Sequence, residues 1–102
     1  MAALSLLLLT ACAQQRIQDE AQARARLGDY EKATQIADDG VAKYPDSALL
    51  RSSSLQLRNE ALARLLAEAA TARAAGRHDD AQKLLERAAR FDSNGQRTRS
   101  LL

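Results

Sequence analysis

Apolar and polar positions along this chain recur with a helical period. Residues 1–11 run Met-Ala-Ala-Leu-Ser-Leu-Leu-Leu-Leu-Thr-Ala without a charge, and polarity begins after Cys12 with Gln14, Gln15, Arg16, Gln18, Asp19 and Glu20. Residues 14–27 place Ile17, Ala21 and Leu27 on a weak apolar face, which predicts a helix ended by Gly28 and an N-cap for the next at Asp29. From Tyr30, positions Ala33, Ile36, Ala37, Gly40, Val41 and Tyr44 repeat at steps of three and four, so a second amphipathic helix is predicted up to Pro45. Asp46 or Ser47 can cap the next one. Residues 47–75 hold neither Pro nor Gly, and Leu49, Leu50, Leu55, Leu57, Leu62, Leu65, Leu66 and Ala69 supply an apolar surface. A continuous helix there would be about 43 Å long at 1.5 Å per residue. Ser52-Ser53-Ser54 weakens it locally and predicts fraying or a bend, because serine hydroxyls compete for backbone hydrogen bonds. Gly76 ends this segment, and Ala81, Leu84, Leu85 and Ala88 form a further helical face. Residues 92–95, Asp-Ser-Asn-Gly, read as a turn, and residues 96–102 as the beginning of another helix.

Composition agrees with an all-α chain. Of 102 residues, 22 are Ala and 17 are Leu, whereas Val and Ile together number three and the aromatics are Tyr30, Tyr44 and Phe91. Sandwiches, barrels and parallel-sheet enzymes need β-branched and aromatic residues for their pleated faces, so these are excluded. A thin Ala/Leu core cannot enclose a deep active-site cavity, which favours binding or scaffolding. The net charge of +2 comes from 15 Lys and Arg against 13 Asp and Glu with signs interspersed, and no basic stripe with interleaved aromatics is present. Nucleic-acid binding is therefore not expected.

Candidate chemistry is sparse. Cys12 is the only cysteine and His78 the only histidine, so neither an internal disulfide nor a Cys/His metal cluster is available, and no cofactor is expected. His78 reads as an exposed polar residue near a helix start. Asp38-Asp39 and Asp79-Asp80 are acidic pairs, but neighbours in a helix diverge by about 100° and do not share a site. Both read as solvated or helix-start charge. With no nucleophile triad and no phosphate loop, the chain is not expected to be an enzyme.

The first residues read as an address. Eleven uncharged residues are too few for a spanning helix, which needs about 20 apolar residues. They fit the apolar region of a secretory signal, although no Lys or Arg precedes it. Leu9-Thr10-Ala11-Cys12 resembles the bacterial lipobox. That resemblance implies lipidation at Cys12, a signal peptide over residues 1–11 and a mature chain beginning at Cys12. Ala13, rather than Asp, then implies the outer membrane, periplasmic face. The opposing reading is a buried free cysteine in an apolar helix.

Residues 12–102 resemble a tetratricopeptide-like helical repeat domain, built of antiparallel helix pairs with one elongated central helix. The first unit, about 14–47, matches best over Gly28-Asp29-Tyr30-Glu31-Lys32-Ala33, Gly40 and Tyr44-Pro45-Asp46. Ile17 stands at the usual Trp position, while Glu20 and Arg24 replace apolar residues. The second unit, about 62–95, matches at Leu65, Ala69, Gly76, Ala81, Ala88 and Asp92, with Glu68 repeating the departure at Glu20 and Ser93 in place of the closing Pro. Residues 48–61 form a helical insertion of 14 residues, close to four turns. The first half of the long helix is therefore expected to pack on residues 30–43 and its second half on residues 78–91. In this family the first helix of each unit lines the partner groove. The resemblance thus nominates Gln18, Gln22 and Arg26, with Leu66, Ala70 and Arg73, and either arginine would meet a carboxylate on a peptide. The bland reading is that both arginines are ordinary surface residues.

A lipobox followed by this irregular repeat pair, with Arg-Asn-Glu-Ala-Leu-Ala-Arg-Leu-Leu-Ala-Glu-Ala at 58–69, also resembles the N-terminal part of some secretin-type proteins of type II secretion and pilus systems. Their β-rich pore region has no counterpart in these residues. The expected function is a non-catalytic protein–protein interaction scaffold, lipid-anchored in the outer membrane and facing the periplasm. It would be an accessory or N-terminal part of such an assembly, with secretion-system components as partners. The alternatives are a standalone adaptor recruiting periplasmic cell-wall enzymes, or a cytoplasmic helical adaptor if residues 1–11 are not a signal. Two repeats are fewer than the usual three, so Leu101 and Leu102 at the end predict self-association, a partner helix or a continuation.

Overall fold

In a computed structural model, residues 2–92 are described and form four helices: α1 (Ala2–Arg26), α2 (Tyr30–Lys43), α3 (Ala48–Ala74) and α4 (His78–Ala89). No strand occurs among the described residues. The expected turn at 92–95 and the helix start at 96–102, with Leu101 and Leu102, lie outside them apart from Asp92. The chain divides into two compact units, Met1–Leu57 and Arg58–Leu102, and α3 contributes to both.

The helix boundaries follow from local chemistry. Gly28 and Gly76 have φ of 81° and 79°, a conformation open to glycine at little cost. At the first, the Gly28 N–H donates to Ala25 O and the Asp29 N–H to Arg24 O; at the second, Gly76 donates to Arg73 O and Arg77 to Ala72 O. Each is a Schellman closure that satisfies carbonyls left over at a helix end. The Asp29 side chain then accepts the Lys32 N–H at 3.2 Å and caps α2. Arg77 occupies the same position before α4 and makes no side-chain cap bond. Of the two candidates before α3, Ser47 takes the capping role, its hydroxyl accepting the Leu50 N–H at 3.2 Å.

Three local features depart from the sequence pattern. First, α1 does not begin near residue 14 but continues from residue 2, since no Gly or Pro precedes Gly28 and Ala and Leu are strong helix formers. Second, Leu27 leaves the apolar face and is 79% exposed, because α1 ends at Arg26 and the Schellman turn carries residue 27 outward. Ala25 fills the place one turn beyond Ala21, and both are buried. Third, α3 is helical without interruption through the serine run. Ser53 lies in its buried stripe, and Ser54 donates to Asp38 Oδ1 at 2.6 Å rather than to its own backbone.

The first unit packs α1 against α2 and the start of α3. Ala21, Ala25, Tyr30, Ala33, Ala37, Leu50 and Leu57 are its buried apolar side chains. Thr34 is buried with them because its hydroxyl donates back to Tyr30 O at 2.9 Å and Glu31 O at 3.1 Å. Small residues permit close helix approach. At Gly40 the approach is closest: a β-carbon there would meet Ile17 Cγ2 and Leu50 Cδ1. The second unit buries Ala61, Leu62, Leu65, Ala69 and Ala72 of α3 together with Ala81, Leu85 and Ala88 of α4, and closes with Phe91. Leu84, also on the predicted α4 face, is half-buried.

Candidate functional site

The apolar N-terminal stretch is displayed rather than packed. Leu6, Leu7, Leu8 and Leu9 are 62–67% exposed, and Cys12 is exposed one turn further on. This differs from the burial expected of a structural cysteine in an apolar helix. Thr10 turns its hydroxyl to Leu6 O and Leu7 O of its own helix. Among the described residues, the first polar link from α1 to another element is made by Gln14, whose Oε1 accepts from the Ser47 hydroxyl at 2.8 Å. The α2–α3 turn is thereby held beside residue 14, and the Arg51 guanidinium clasps it by donating to Pro45 O at 2.6 Å. A hollow of about 530 Å³ lies here, with Leu7 and Thr10 on one wall and Tyr44, Pro45 and Leu49 on the other. Among the described residues no helix is long and apolar enough to cross a membrane.

The groove residues nominated from the repeat fall into two places. Gln18, Gln22 and Arg26 share a face of α1 by their four-residue spacing; the glutamines are half-buried and Arg26 is exposed. Gln18 Oε1 already accepts from Gln15 Nε2 at 3.1 Å. In the second unit, Leu66, Ala70 and Arg73 are brought together with Ala69 and Leu85 around a small hollow of about 40 Å³. A space of that size admits about one water molecule or a methyl group. It is a dimple on a surface, with Arg73 exposed at its rim, and not a pocket for a whole side chain.

Sequence reasoning missed a larger apolar hollow of about 480 Å³ in the first unit, where Val41 and Ala42 of α2 face Leu55 of α3, with Asp38, Arg51 and Ser54 around them. Leu55 is 65% exposed. A signal was present, since Leu55 and Leu57 are two residues apart and cannot share one helical face. Of the acidic pairs, Asp39 is exposed, but Asp38 is half-buried and engaged by Ser54 rather than solvated; Asp79 and Asp80 are exposed in the first turn of α4, and Asp80 lies 4.0 Å from Arg77. His78, first residue of α4, is exposed. Among the described residues no group of three or more His, Cys, Asp or Glu side chains converges as metal ligands would.

No protein family, curated protein or solved structure matches the chain.

Proposed function

We propose that this chain is a non-catalytic protein–protein interaction scaffold, held by a lipid on Cys12 in the outer membrane and facing the periplasm. In this reading it is a tetratricopeptide-like accessory or N-terminal part of a secretion or pilus assembly. The observation that carries the anchor is the sharp division of α1 at Cys12. Four leucines before it are exposed to water, and the body is engaged from Gln14 onward. These four leucines gain no burial energy from folding, and burial in lipid would stabilise them by about 0.8 kcal/mol per methylene while the signal segment is attached. The Gln14–Ser47 bond and the buried side chains of the first unit named above all lie outside residues 1–11. Partner contact is assigned to the rim where half-buried Leu66 meets exposed Ala70 and Arg73, an aliphatic surface beside a cation suited to a peptide carboxylate.

Fractionation of cells expressing the wild type and Cys12→Ala tests the anchor. The wild type is expected in the membrane pellet with an acyl mass on Cys12, and the variant in the soluble fraction. Membrane retention of Cys12→Ala after a carbonate wash counts against it. A retained Met1 with no acyl mass would favour the cytoplasmic helical adaptor.

A further inference from the structure

We propose that the α2–α3 turn, centred on Lys43, Tyr44 and Pro45, lies on the phospholipid surface, so that the first unit sits on the membrane by this end. The inference rests on lipidation at Cys12, and takes from the structure what that anchor would do to the body. Ala13 alone separates Cys12 from Gln14, and Gln14 is tied to Ser47 at the foot of the turn. One intervening residue spans at most about 7 Å between the flanking α-carbons, so the body has no tether on which to stand away from the bilayer. A linker of tens of residues would leave orientation unset.

The chemistry of this end suits a headgroup layer. The Lys43 ammonium lies 5.7 Å from the centre of the Tyr44 ring, which joins a cation to an amphipathic aromatic in one patch. Pro45 is exposed and Leu49 half-buried beside them. Within one helical turn of Cys12 and of the α2–α3 turn, Arg16, Lys43 and Arg51 give three cations against the two carboxylates of Asp39 and Asp46. That excess attracts anionic phospholipid within a Debye length. The opposite end of the unit, at the α1–α2 turn, lies about 20 Å along α1 from Gln14, counting 13 residues to Leu27. The exposed leucines also project from the Cys12 end, so the precursor and the processed chain meet the membrane by the same face.

The test uses the lipidated protein bound to vesicles of phosphatidylethanolamine with a minority of phosphatidylglycerol. A membrane-impermeant amine acetylating reagent is applied, and Cys12→Ser in solution serves as the unbound reference. The lysines are Lys32, Lys43 and Lys83, and Lys32 sits near the far turn as an internal control. Acetylation of Lys43 is expected to slow by about fivefold on vesicles, with Lys32 changed by less than about twofold. As a second readout, Tyr44→Trp and Leu27→Trp each place a single tryptophan in a chain that has none. Lipid spin-labelled near the headgroup should quench the first strongly and the second weakly. If the protein is acylated and vesicle-bound but Lys43 and Lys32 react alike and both tryptophans are quenched equally, the proposed orientation is wrong and the anchor stands. If no acyl mass is found on Cys12 and the protein does not bind vesicles, both fall.

Discussion

A β-carbon on Gly40 would stand 2.8 Å from Ile17 Cγ2, closer than side chains tolerate. Cγ2 is bonded directly to the branched Cβ of isoleucine, so rotation about χ2 cannot move it aside. Leu50 Cδ1, at 3.2 Å, crowds the same space from α3. Gly40→Ala would gain about 1 kcal/mol of helix propensity in an open site. Here the overpacking cost of about 1–3 kcal/mol prevails. Gly40→Ala is expected to lower the urea midpoint, and Gly40→Ala in an Ile17→Ala background is expected to raise it. A midpoint change of the same sign in both backgrounds would show that the two residues are not in contact.

Ser47 holds two structures with one hydroxyl. It accepts the Leu50 N–H that opens α3 and donates to Gln14 of α1. Ser47→Ala should therefore cost more than an isolated cap, whose loss is typically about 1 kcal/mol. Gln14→Ala should cost less than Ser47→Ala, and in a double-mutant cycle the two losses should fall short of additive. Strict additivity measured by thermal melting would remove the link between α1 and the α2–α3 turn.

Ser53 is 1% exposed, and its hydroxyl has no hydrogen-bond partner. An unsatisfied buried hydroxyl costs about 1–3 kcal/mol. Ser53→Ala removes the orphan and also improves helix propensity, so stabilisation by about 1 kcal/mol is expected. The change would appear as a higher midpoint in chemical denaturation. Ser54→Ala should act oppositely, because it removes the bond to Asp38.

The two Schellman turns are followed by unequal caps. Asp29 bonds the Lys32 N–H, whereas Arg77 leaves its helix without a side-chain acceptor. Arg77→Ser would supply one, and a gain of about 0.5–1 kcal/mol is expected. The exposed Arg77–Asp80 pair at 4.0 Å offers little to set against it. Asp29→Ala should lose a similar amount at α2. Circular dichroism during thermal unfolding reads both changes, and a fall in midpoint for Arg77→Ser would refute the capping argument.

What the sequence alone determined is what depends on neighbours along the chain. Gly28, Pro45 and Gly76 mark where helices stop, and Asp29 and Ser47 mark where they start, because a positive φ, a missing N–H or a short polar side chain acts within a few residues. The scarcity of β-branched and aromatic residues beside abundant Ala and Leu favoured helix throughout, also through local propensity. Leu66, Ala70 and Arg73 were nominated by the repeat resemblance, and they share one face because residues three and four apart in a helix are neighbours. The tertiary structure decided everything that depends on distant pairs. It chose Ser53 for the core and turned Ser54 to Asp38, although Ser52, Ser53 and Ser54 are chemically identical. It buried Leu57 and left Leu55 on a hollow that periodicity did not locate. It also set Ser47 against Gln14, 33 residues away, and so fixed which turn lies beside Cys12. Such pairings arise from the packing of whole helices against one another, and no local propensity encodes them.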